Sequence, residues 1–308
     1  MVYLYVRKFG FILVRGVMGL FSALPLRAHR ALGGFLAWIL RDLMHYRRDV
    51  VLTNLSRSFP AMPYKEVSRN ADRFYRHLGN VIAEAVWIGH SSAERVTRSH
   101  IVECANPEVL NAAFENAPGV MLMMTHRGNW ELLGGLYCTN YGPEPWAFRP
   151  EDVCCVYRRL KSPLWDRVMA VNRMYPLRKT AFDGYVESEK MLRYALEHRR
   201  ERKIFIFPND QFPYAIAQRM KVDDFMHQPT WSMAGGAALA VKLGLSVVYM
   251  GSRMRPDGGY ETVYTEICRD ASRMTPEAVM NGYYKLLQEE LEAEPWNYLW
   301  SHNRWKTV

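Results

Sequence analysis

His126 and Glu131 are the two residues of this chain whose types and spacing offer the clearest chemistry. An imidazole fixed by a carboxylate titrates near neutral pH and can take a proton from an alcohol. The carboxylate selects the tautomer and stabilises the imidazolium as it forms. The surrounding string, GVMLMMTHRGNWELLGGL at 119–136, reads as a buried apolar strand ending at Thr125 with His126 at its C-terminal tip. Gly128 and Asn129 then open a turn into a helix beginning near Trp130. In open α/β sheets ligands bind at the C-terminal ends of strands, which is where this places the imidazole. On one continuous helix the pair would not share a face, because five steps rotate a side chain by roughly 140°. A strand, a turn and a helix start instead fold Glu131 back toward His126. The same spacing also fits a turn histidine beside a solvent-exposed glutamate.

The elements that must carry this site divide the chain in two. Residues 64–90 predict a long helix, with Phe74, Leu78, Val81, Ile82, Ala85 and Val86 three and four apart, so helices fill the first ninety residues. From about residue 100, short apolar runs at 119–124, 204–207, 246–250 and 261–267 alternate with helical patterns at 182–199 and 232–243. That alternation predicts an α/β fold with a mostly parallel central sheet flanked by helices. Gly244 is placed to cap the second of those helices at its C-terminus. A last helix is expected over 276–293, followed by an aromatic and basic tail at 296–306. With no repeat and no linker, residues 1–308 are expected to form one domain.

Charge is concentrated rather than spread. Of a net +9, the first fifty residues carry +6, from Arg7, Lys8, Arg15, Arg27, Arg30, Arg41, Arg47 and Arg48 against Asp42 and Asp49. The same segment is apolar, yet no stretch in it reaches the roughly 20 uninterrupted apolar residues of a membrane span. Residues 1–45 are therefore expected to form amphipathic helices lying in a membrane interface, arginines toward phosphates and apolar side chains toward acyl chains. A pair of core helices with snorkelling arginines is the other reading. A second cluster of +6 spans 158–179, where Arg158, Arg159, Lys161, Arg167, Arg173, Arg178 and Lys179 face only Asp166. Five cysteines, with Cys154 and Cys155 adjacent, fit neither a disulfide framework nor a CxxC metal site and point to a reducing compartment.

With its surroundings, the histidine string resembles the lysophospholipid-type acyltransferases with their H-x-x-x-x-D/E motif, and among them the late acyltransferases of lipid A biosynthesis. Their H-x-G-N-W-E pattern is matched by His126, Gly128, Asn129, Trp130 and Glu131. The resemblance covers most of the chain: RDVVLTNLSRSFP from Arg48 and FYRHLGNVIAE from Phe74 upstream, then VYRRLKSPLWDRVMAVNR, NDQ at 209–211, and YLWSHNRWK near the end. Arg127, Arg159 and Ser162 depart from the apolar residue, Pro and Asn usual in that family. Residues 212–228 also lack the glycine and paired phenylalanines common after its D-Q.

The resemblance implies transfer of a fatty acyl group from a thioester, on acyl carrier protein or coenzyme A, to a hydroxyl of a membrane lipid such as a lipid A precursor. It implies His126 as the base with Glu131 orienting it, no covalent acyl-enzyme, no cofactor and no metal, at the cytoplasmic face of the inner membrane. Arg158 and the backbone near Asn129 are then candidates to steady the oxyanion. Arg158 and Arg173 are candidates to hold phosphate or the donor's phosphopantetheine, solvated basic surface being the alternative for either. Asp210 and Gln211 would bind the acceptor or close the site, or form an ordinary loop in which the Asp bonds its own backbone. Trp296, Trp300 and Trp305 fit an interfacial aromatic belt or a packed cap. Met121, Met123 and Met124 fit an acyl tunnel or plain core.

Other classes lose their support. The chain contains no G-x-S-x-G elbow, no H-E-x-x-H, no P-loop and no G-x-G-x-x-G. No basic recognition element with interleaved aromatics calls for nucleic acid. The non-enzymatic alternative is a membrane-surface adaptor binding anionic lipid or acyl carrier protein through its basic patches.

Overall fold

The apolar periodicity of the N-terminal third folds as helices: α1 (Val2–Ser22), α2 (Leu26–Trp38), a π-helical turn (Ile39–Leu43), α3 (Arg48–Ser58) and α4 (Tyr64–Ile88). The structure is a computed structural model describing residues 2–214, 217 and 219–306. The side chains of Arg7 and Lys8, counted in the N-terminal basic cluster, lie outside the described residues. In α4 the stripe Phe74, Tyr75, Leu78, Val81, Ala85 and Ile88 is buried against the rest of the fold. The Gly79 hydrogen lies where a Cβ would meet the Gly33 carbonyl at 2.1 Å, so α2 and α4 approach backbone to backbone.

The remainder is α5 (Ala93–Ser99), β1 (Val102–Cys104), α6 (Pro107–Asn116), β2 (Val120–Met124), a 3₁₀ helix (Trp130–Cys138), β3 (Val153–Tyr157), α7 (Pro163–Arg173) and β4 (Tyr185–Glu187). There follow α8 (Met191–Glu197), β5 (Ile204–Pro208), the hairpin β6 (Arg219–Phe225) and β7 (Gln228–Met233), α9 (Gly235–Leu243), β8 (Ser246–Met254), β9 (Tyr260–Cys268) and α10 (Pro276–Ala293). Seven strands form one sheet in the order β1-β9-β8-β2-β5-β3-β4. Every neighbouring pair is parallel except β8 and β9. β2 is central and wholly buried, as expected of a parallel strand covered on both faces. Helix ends obey local chemistry: Ser162 accepts from Trp165 N, Thr275 accepts from Ala278 N, and Gly244 closes α9 at φ +61°.

Three expectations are corrected. The helix expected over 182–199 is instead strand β4 followed by the short α8, because Gly184 lies against the β3 backbone, where a Cβ would meet the Val153 carbonyl at 2.0 Å. The helix expected from residue 232 starts at Gly235, Ser232 belonging to β7. Of the tryptophans read as a possible aromatic belt, Trp300 is fully buried and Trp296 nearly so. They pack as an internal cap, with Trp300 Nε1 donating to the Pro295 carbonyl at 2.6 Å.

Among the described residues no single helix is long and apolar enough to cross a membrane. α1 nevertheless presents Phe9, Ile12, Leu13, Val17 and Leu20 to solvent, and α2 presents Phe35 and Trp38. Part of the basic cluster expected to face phosphates is bound internally. Arg15 donates to Asn172 Oδ1 and the Gly89 carbonyl, Arg30 to the Asp257 carbonyl, and Arg47 to the Ser301 carbonyl.

Candidate functional site

β2 and β5 lie side by side and parallel, with Met124 opposite Pro208, so the residues just beyond their C-terminal ends meet. His126 follows one strand and Asp210 the other. His126 Nδ1–H donates to Asp210 Oδ1 at 2.7 Å, and the His126 backbone N–H donates to Oδ2 at 2.8 Å. Burial pushes the Asp210 carboxyl up, but electrostatic attraction to the His126 ring and these two hydrogen bonds outweigh it and hold the group below its ordinary value. An ionised Asp210 fixes the proton on Nδ1 and leaves the Nε2 lone pair facing outward. Trp130 packs edge to face on the imidazole, ring centroids 5.2 Å apart.

Glu131 is elsewhere. Its carboxylate is gripped by Arg173, Nε to Oε2 at 2.7 Å and Nη2 to Oε1 at 2.8 Å, and accepts from Trp130 Nε1 at 3.1 Å. The contact expected between Glu131 and His126 is thus corrected: the 3₁₀ helix begins at Trp130 and carries Glu131 toward α7, while the neighbouring strand end supplies the carboxylate for the imidazole. The ion pair raises Arg173 above its ordinary value despite a desolvation cost. Asp210, expected to bind substrate, is spent on the histidine.

The turn between them is rigid. Gly128 takes φ +56°, and a Cβ there would meet Ser252 Oγ at 2.0 Å, so only glycine fits. Its N–H donates to Asn297 Oδ1 at 2.8 Å, and its carbonyl accepts from buried His77 Nε2 at 2.9 Å. Burial lowers His77 to about 4, leaving it neutral with its proton on Nε2. Three phenols brace the two strand ends: Tyr283 donates to the Met124 carbonyl, Tyr284 to that of Asn209 and Tyr298 to that of Asp210, at 2.9, 3.0 and 3.1 Å. The C-terminal aromatic residues therefore support the site from behind.

Asn129, expected to bind substrate with its neighbouring backbone near the oxyanion, is buried and is not among the residues lining the cleft. Its Oδ1 accepts from Glu131 N and its Nδ2 donates to Glu84 Oε2 at 2.8 Å, where the Tyr260 hydroxyl also donates at 2.7 Å. Burial pushes the Glu84 carboxyl up to about 7 against those two donors. A folded value above the ordinary 4.5 means the folded protein holds this proton more tightly than the unfolded chain. The stability it brings is complete below about 4.5 and lost as pH rises through about 7. Thermal unfolding of Glu84→Gln, which stays neutral, is accordingly expected to show a smaller fall in Tm than the parent between pH 5 and 8, by about half or more of the difference. Equal pH dependence of the two proteins would contradict this.

Nε2 of His126 opens on a cleft of about 890 Å³. Apolar residues Met191, Leu192, Ala238 and Leu239 line it, and so do the cationic side chains Arg158, Arg173, Lys242 and Lys306. Arg158 is exposed and lies over the Tyr214 ring at 4.1 Å, and Gln211 donates from Nε2 to His126 Nε2 at 3.1 Å. Cys154 and Cys155 are buried, their thiols pushed up by desolvation, Cys155 to about 12, which removes the thiolate a nucleophile needs.

Arg127, beside the histidine, points the other way. Its guanidinium is buried between Glu290 and Glu294 on and just beyond α10, at 3.0 and 3.2 Å, and donates to the Ser252 carbonyl. The sequence marks Arg127 only as a departure from a family pattern, carries His77 and Glu84 only within a helical string, and gives Tyr260 no mark; buried partners 167 and 176 residues away leave no trace in local spacing.

A histidine oriented by a buried carboxylate at the C-terminal edge of a mostly parallel sheet, open to a cleft with both apolar and cationic lining, has the parts a general base acting on an amphiphile would need. The chain belongs to the bacterial lipid A biosynthesis acyltransferase family, whose model matches residues 1–307, and it is an acyltransferase of that type. No curated protein matches it.

Proposed function

We propose that the protein moves a fatty acyl chain from a thioester of acyl carrier protein or coenzyme A to a hydroxyl of a membrane lipid, a lipid A precursor or a related glycolipid or aminolipid. The observation that carries this is the ordered pair Asp210–His126, on a cleft lined by apolar side chains and several cations. His126 Nε2 takes the proton of the acceptor hydroxyl as its oxygen adds to the thioester carbonyl. The tetrahedral intermediate collapses with cleavage of the C–S bond, and the leaving thiolate takes the proton from Nε2, which regenerates the neutral imidazole and releases a free thiol. Asp210 stabilises the imidazolium between these steps. Glu131 acts through Arg173, which lines the cleft with its guanidinium fixed by two hydrogen bonds to Glu131 and one to the Tyr185 hydroxyl and is suited to a phosphate or the developing oxyanion through its remaining N–H groups.

The membrane supplies the acceptor. The exposed stripe Phe9, Ile12, Leu13, Val17 and Leu20 on α1, with Phe35 and Trp38 on α2, suits the interface of the inner membrane's cytoplasmic leaflet. α1 also touches α7, where Arg167 lies over the Phe11 ring at 4.1 Å, and α7 ends at Arg173 on the cleft. The basic residues at 158–161 fit an acidic carrier protein.

Lipid mass spectra of cells lacking the protein, complemented with the parent or with His126→Ala, test this reading. A lipid one acyl group heavier is expected to return with the parent alone. Its return with His126→Ala as well would favour the non-catalytic adaptor, and no acylated lipid in either would end the transferase reading.

A further inference from the structure

We infer that Gln211 occupies the proton-accepting position of His126 in the resting enzyme, and so sets how far the enzyme transfers acyl groups to lipid rather than to water. The inference rests on the acyltransferase reading above.

The tautomer gives the argument its direction. Nδ1–H is committed to Asp210, so Nε2 carries a lone pair, and the amide N–H of Gln211 donates to it at 3.1 Å. That lone pair is the one the acceptor hydroxyl must reach. A water molecule seeking the same proton transfer has to displace Gln211 with a single hydrogen bond and nothing else to gain. A lipid brings its acyl chains against apolar lining residues such as Leu192 and Leu239 and its charge to the cations of the cleft, so it displaces the amide at far lower net cost.

The backbone around Gln211 is built to let only the side chain move. Asp210 O accepts from Tyr298, Asn209 O accepts from Tyr284, and Phe212 N donates to His302 Nε2 at 3.1 Å. Burial lowers His302 to about 4, so it stays neutral and its Nε2 remains an acceptor. With both neighbours pinned, a rotamer change of Gln211 into the cleft, which it lines, uncovers the base without any loop opening. The competing step is thioester hydrolysis: water gives its proton to Nε2, its oxygen adds to the carbonyl, the C–S bond breaks, and the thiolate takes the proton from Nε2, leaving a fatty acid and a free thiol.

The test uses the full chain in detergent–phospholipid micelles with a saturated fatty-acyl thioester of acyl carrier protein. Thiol release and acylated lipid are followed separately, with and without envelope lipid extract as acceptor. Gln211→Ala, and Gln211→Met with similar volume, are expected to raise thiol release without acceptor by about tenfold, the worth of one lost hydrogen bond. The ratio of hydrolysis to transfer should rise by a similar factor. Adding His126→Ala to either variant should return release to background. Should thiol release fall in both variants, or the hydrolysis-to-transfer ratio stay at the parent value, Gln211 is a substrate contact or a structural residue and the inference is overturned. His126→Ala alone separates the two ideas: if it transfers as well as the parent, it is the acyltransferase mechanism that fails. Circular dichroism and Tm identify any variant that has not folded, and Gln211→Asn, which keeps the amide one methylene shorter, then replaces it with an expected intermediate ratio.

Discussion

Replacing Asp210 by Asn is expected to lower acyl transfer by about 10³- to 10⁴-fold while leaving the protein folded. The reason is the pair of donors that meet this carboxylate. His126 N–H requires an oxygen at the Oδ2 position, so an Asn side chain must turn its NH₂ toward the place of Oδ1, facing His126 Nδ1. Nδ1 then has to accept, the ring proton moves to Nε2, and the lone pair proposed to take the hydroxyl proton is gone. The wrong tautomer in a serine protease triad costs about 10⁴ in rate with the geometry intact, and the same logic applies here. Because the backbone hydrogen bond survives, Tm should change little. Steady-state kinetics with a saturating thioester would check the loss, and activity within tenfold of the parent would show that Asp210 does not set the tautomer.

Arg127→Met should have the largest effect on stability. Glu290 and Glu294 both lean on this buried guanidinium, and Tyr249 donates to Glu290 Oε2 at 2.6 Å. Burial already raises Glu290, with Arg127 the main group opposing it. Removing the cation leaves two neighbouring, partly exposed carboxylates with only the neutral donors Tyr249 and Asn297, a change expected to cost up to the about 3–5 kcal/mol of a broken buried pair. Chemical denaturation of the purified variant measures it. Combining Arg127→Met with Glu290→Gln and Glu294→Gln should recover more than half of the loss, since neutral amides need no counter-ion. A cost below about 1 kcal/mol for Arg127→Met alone would mean the triad is far better solvated than its burial implies.

The parts of the fold that could be read from sequence are those whose burial is carried by apolar side chains. The strand at 119–124, the long helix α4 and the helix α10 announce themselves because one face or both are apolar. β7 does not, since its inward residues are Gln228, Thr230 and Ser232, a polar alternation invisible to hydrophobic periodicity. β4 was hidden by its length and by Gly184, whose role is the close approach to β3. At the site, His126 at a strand tip and the apolar strand before Asp210 were both legible. What was not legible is which carboxylate serves the histidine, because that depends on β2 and β5 being neighbours in the sheet. Proximity in the chain favoured Glu131; proximity across the sheet favours Asp210.

The same distinction applies to charge. Two basic clusters are visible in the sequence, but Arg15, Arg30 and Arg47 bind backbone or side-chain groups of this chain, and Arg173 serves Glu131. The basicity of the surface toward a carrier protein or membrane is left to residues such as Arg158, Lys161, Lys242 and Lys306.

The most direct measurement is the mass of the acceptor lipid after incubation of the purified full chain with a fatty-acyl thioester of acyl carrier protein and an envelope lipid extract, parent against His126→Ala of equal Tm. An acceptor gaining the mass of one acyl group with the parent, and none with His126→Ala, is the expected result. Equal gain with both proteins, or none with either, would contradict a base-catalysed transfer centred on His126.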